Sequence, residues 1–60
     1  MSVEGINTCA REAVGQIVKD LSDRSGLDGA WYGIDDDIRV EILDVWTQIV
    51  RDAIKKAVGE

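Results

Sequence analysis

Sixty residues, twelve acidic against seven basic, make one short chain of net charge −5 and pI near 4.4. That length holds one domain at most, at a size where a lone core is marginal without a disulfide, a metal or a partner copy. One cysteine and no histidine exclude an internal disulfide and the mixed Cys/His zinc sets. The acidic balance argues against an electrostatic hold on nucleic acid or anionic membrane.

The chain reads as two long helices joined by a short connection: helix 2–24, connection 25–34, helix 35–58. The first helix carries Ser2 as a candidate N-cap and Glu4 in its first turn, where negative charge suits the helix dipole. Gly5 weakens that start. Apolar residues follow at Ile6, Ala10, Ala13, Val14, Ile17, Val18 and Leu21, the three-and-four spacing of one buried face. Ala10 and Ala13 near its middle let a partner helix come close and receive Trp46. Gly15 points to the polar side and costs roughly 1 kcal/mol against alanine. Gly26 is expected just past the helix in a left-handed conformation, with Leu27 folding back on Leu21 in a Schellman ending. Asp20 and Arg24 stand at i and i+4, a weak stabilising pair.

The connection is punctuated by glycine yet anchored by Leu27, Trp31, Tyr32 and Ile34. Asp28 is placed to cap a single short turn through Trp31. Two adjacent aromatics cannot both enter one small core, so one of Trp31 and Tyr32 is expected at least half exposed.

Asp35, Asp36 and Asp37 begin the second helix, one as N-cap and the others favoured by the dipole, and Ile34 packs over its first turn as a staple. Lys55 and Lys56 suit its C-terminal end, and Asp52 with Lys56 forms an i, i+4 pair. At about 100° per residue with Ile38 at zero, the apolar arc runs from Val45 at about −20° to Ile54 at about 160°. Half a circumference is more than one partner helix can bury. The fold class expected is therefore all-α, an antiparallel helical hairpin that self-associates, most simply as a dimeric four-helix bundle, with a larger ring as the alternative. Leu43, Val50, Ile54 and Val40 are the residues expected to stay uncovered. Leu43, Trp46, Val50 and Ile54 form the expected oligomer interface, and Trp46 is core.

No catalytic set can be assembled. Without histidine there is no base for Cys9, which is expected as a small buried hydrophobe at the edge of the first helix's face. The aspartate triplet does not match a calcium loop, because no glycine follows at the sixth position and Arg39 intrudes. Helix capping accounts for it, and no metal or other cofactor is expected. The candidate binding residues are Arg24, Trp31, Tyr32 and Arg39, gathered around a glycine-rich corner beside the amide-rich start of the second helix. Stacking surface, guanidinium and free amides suit a nucleotide or phosphate-bearing ligand, and the same corner suits a protein partner.

No stretch is long and apolar enough for a membrane span and no basic region precedes one, so a chain beginning near Met1 in a reducing cytoplasm is expected. The order Arg24-Ser-Gly-Leu, then Trp31, then Ile34-Asp-Asp-Asp-Ile-Arg-Val-Glu-Ile resembles a pattern in small, mostly uncharacterised tailed-phage accessory proteins, over about residues 24 to 42. The resemblance implies a phage setting, the host bacterial cytoplasm and, by association, antagonism of bacterial defence; it carries over no site residues. Three functions follow: a non-catalytic binder that blocks or sequesters a host component, a nucleotide-signal sponge with pockets between subunits, and a structural or assembly protein with no ligand. The expected partners are further copies of itself and a host protein or small nucleotide, with no direct nucleic-acid binding and no membrane.

Overall fold

The computed structural model describes residues 3–59. Helix accounts for 86% of them and none lies in a strand, so the fold is all-α. Three helices follow one another: α1 (Val3–Ser22), α2 (Leu27–Tyr32) and α3 (Asp36–Val58). The expected cap at Ser2 lies outside the described residues.

In α1, Ile6, Ala10 and Val14 are buried at i, i+4, i+8 spacing, the middle of the apolar stripe. The helix stops at Ser22, two residues before the expected end at Arg24. Its last carbonyls are taken by the Asp23 amide, bonding Lys19 and Asp20 at 3.1 and 3.2 Å, by the Arg24 amide on Leu21 at 3.2 Å, and by the Ser22 hydroxyl on Lys19 at 2.9 Å. A Schellman ending at Gly26 would send the Leu27 amide to the Ser22 carbonyl, whereas it bonds the Arg24 carbonyl at 3.2 Å. Gly26 does take a positive φ, 91°, but as the N-cap of α2 rather than the stop of α1. The expected role is corrected accordingly: the left-handed turn opens the next helix.

Within α2, Asp28 is the second residue and its carboxylate accepts the Gly29 amide at 2.8 Å. It is not the cap that had been expected, because Gly26 occupies that position. For α3, Asp35 is the N-cap without a side-chain capping bond, Asp36 and Asp37 fill the first turn, and Lys55 and Lys56 the last. The triplet therefore acts on the helix mainly through charge near its positive end. Asp52 approaches its neighbour Arg51 at 3.6 Å rather than Lys56.

α1 and α3 lie side by side and run in opposite directions: Asn7 and Arg11 share a cleft with Gln48 and Arg51, while Val18 shares one with Val40 and Leu43. Among the described residues the buried core is Ile6, Ala10, Val14 and Trp31, and the longest helix, α3, buries none. The shape explains why. The molecule measures 40 × 21 × 15 Å with a radius of gyration of 13.1 Å, against about 10.4 Å for a compact chain of this length. A slab one layer of helices thick gives α3 a neighbour on one side only.

Candidate functional site

The corner formed by α2 and the start of α3 holds three of the four expected binding residues, in three different environments. Trp31 is 7% exposed and stacks on Trp46 with ring centroids 5.7 Å apart and planes 17° from parallel. It belongs to the core. Tyr32, one residue on, points outward at 62% exposure. This divides the aromatic pair as adjacency requires. The Arg39 guanidinium sits 5.6 Å from the Tyr32 ring centroid and is ion-paired with Asp36. Arg24 belongs elsewhere: its Nε donates to Asp20 Oδ2 at 2.9 Å. That hydrogen bond, with the charge of Asp20, raises its pKa further. No hydrogen bond, ion pair or ring contact joins Arg24 to the other three.

This arrangement limits the chemistry of the corner. Trp31 offers a base little surface, because the ring is buried and one of its faces lies against Trp46. The Arg39 guanidinium already has a carboxylate partner, so an incoming phosphate would compete with Asp36. What remains accessible is the Tyr32 ring with Arg39 across it, beside a shallow depression of about 240 Å³ lined by Val18, Trp31, Asp36, Arg39, Val40 and Leu43. An aromatic and an arginine on a mostly apolar rim are the residue types that anchor protein contacts.

The larger feature lies along α3. Leu43, Trp46, Val50 and Ile54 are half-buried, so the expected interface residues turn inward and only Val40 of the expected uncovered set is exposed. The open edge of the arc is the other one, Ile38, Val45 and Ile49, with Ile49 at 60% exposure, joined by Ile17 of α1 at 53%. Between them opens an apolar cleft of about 280 Å³ lined by Val14, Ile17, Trp46, Ile49 and Val50. Sequence reasoning placed Ile38, Val45 and Ile49 correctly at the arc's edge. It expected the opposite edge, Leu43, Val50 and Ile54, to stay bare, because periodicity does not say on which side α1 stands.

The opposite side of the slab is polar. Asn7, Arg11, Asp44, Thr47, Gln48 and Arg51 surround a cleft of about 170 Å³. Thr47 Oγ1 donates to the Leu43 carbonyl at 2.7 Å, and the Arg51 Nε is buried without a hydrogen-bond partner. Cys9 is exposed, which corrects its expected burial: it projects about 100° away from Ala10, off the line that meets α3. Among the described residues no three Cys, Asp or Glu side chains converge to hold a metal, and no helix is long and apolar enough to cross a membrane. No family model, curated protein or solved structure matches the chain.

Proposed function

We propose that the protein is a non-catalytic, self-associating binding protein whose unit is a helical hairpin, most simply assembled as a dimeric four-helix bundle. The observation that carries this is that α3, the longest helix, buries no residue in the single chain. A fold that small with its principal helix half-covered gains most from pairing. Sizing with light scattering at micromolar concentration is expected to give at least twice the 6.6 kDa chain mass; a folded monomer there sinks the proposal.

The partner-binding part of the proposal uses the Tyr32–Arg39 corner as the contact surface for a host protein. The phage setting, and the blocking or sequestering of a bacterial defence component, rest on the resemblance over residues 24 to 42. Expression in a bacterium carrying a defence system is expected to restore infection by an otherwise restricted phage. Tyr32→Ala with Arg39→Glu should abolish that effect while leaving circular dichroism and oligomer mass intact. No rescue against a panel of defence systems would remove the antagonist role and leave the assembly.

A structural or assembly role is the second reading, favoured by the exposed apolar edge of Ile17, Ile38, Val45 and Ile49. The nucleotide-sponge reading needs pockets between subunits, because within one chain the Tyr32 ring is the corner's free aromatic face. Calorimetric titration with cyclic and linear nucleotides tests it, and absence of heat with any of them removes it.

A further inference from the structure

The geometry points to a specific pairing surface: the edge Ile38–Ile42–Val45–Ile49–Ala53 of α3, with Ile17 beside it, is covered by the same edge of a second copy. The two α3 helices run in opposite directions about a twofold axis between Val45 and Ile49. This rests on the self-association proposed above and names its face, its occupant and its register.

Three observations support it. The first is spacing. Residues 38, 42, 45 and 49 step by four, three and four, the seam pattern of paired helices, with Ala53 a further four residues on, and Ile38, Val45 and Ile49 are exposed on it. The second is area. The chain exposes 4531 Å², about 600 Å² more than the roughly 3,900 Å² of a compact monomer of this mass. That excess approaches the ~800 Å² per partner of a standard interface. At the seam's centre the apolar cleft beside Trp46 and Ile17 provides a recess for the partner's aliphatic side chains.

The third is charge. Each copy carries −5, so two copies repel unless opposite charges are brought together. The seam begins at Asp35, Asp36 and Asp37 and ends at Lys55 and Lys56. Setting Ile49 against the partner's Val45 in the antiparallel sense sets Ile38 against the partner's Lys56. Each lysine pair then lies within a turn of the other copy's aspartate triplet, which outweighs the nearness of Glu41 to Asp52 across the pair, and the two helix dipoles oppose. A parallel pairing would stack acid on acid and lysine on lysine. The same acidic rim makes an anionic membrane surface a poor occupant.

The test uses the full chain with Cys9→Ala, so that introduced thiols report alone. Chains carrying Ile38→Cys and Lys56→Cys are co-expressed and oxidised. The pairing predicts a covalent dimer in the mixture and almost none from Ile38→Cys by itself, whose two copies would stand about 27 Å apart along the helices at 1.5 Å per residue. Ile49→Asp should weaken association on the order of 100-fold by burying an unpaired charge, while Asp44→Ser on the polar side leaves the mass unchanged. A covalent dimer from Ile38→Cys alone, or no cross-link in a protein whose mass is dimeric, overturns the face and register and leaves self-association standing. A monomeric mass overturns both.

Discussion

Replacing Trp31 tests whether the corner is core or contact surface. Trp31 is almost fully buried and its ring lies on Trp46, so Trp31→Ala removes both the buried indole and the stack. Truncation of a buried tryptophan costs about 3–5 kcal/mol, a figure that contains the aromatic pairing term of about 0.5–1.5 kcal/mol. A chain of 60 residues has about 3–9 kcal/mol of stability in all. The substitution is therefore expected to consume most of it, lowering the thermal midpoint by at least about 15 °C or leaving the chain unfolded at room temperature. Tyr32→Ala is the internal control. Its ring is largely in water, so the cost should stay within about 0.5 kcal/mol. Urea titration followed by circular dichroism, at one fixed protein concentration because assembly shifts the midpoint, measures both. If Trp31→Ala unfolds no more readily than Tyr32→Ala, the stack does not hold α2 against α3.

Gly15 has open space where a Cβ would go and sits inside α1; Gly15→Ala should stabilise by about 0.5–1 kcal/mol, read as a rise in thermal midpoint of a few degrees. Gly26 also has room, but its φ of 91° is strained for any other residue, so Gly26→Ala should cost about 1 kcal/mol in the same assay. Chelator and reductant together should leave the midpoint unchanged, and Cys9→Ala should cost little because the thiol is exposed; loss of helicity on adding chelator would show that the aspartate triplet holds a metal.

The local features were written in the residues themselves. Apolar spacing fixes a helical face, a run of aspartates and a pair of lysines mark the ends of α3, and Gly26 announces a positive φ because only glycine takes it without strain. The width of the apolar arc was equally legible, and with it the insufficiency of one neighbour. Periodicity, however, assigns each side chain an angle about its own helix axis and says nothing about where the next helix stands. Tertiary packing chose that direction. Trp31, carried in by α2, stacks on Trp46, and α1 closes on the Leu43–Val50–Ile54 edge. Ile38, Val45 and Ile49 are left bare, and Cys9 is turned outward. The same packing chose between two adjacent aromatics with equal claims to the core. Trp31 went in and Tyr32 stayed out, because the six-residue α2 turns one position toward α3 and the next toward water.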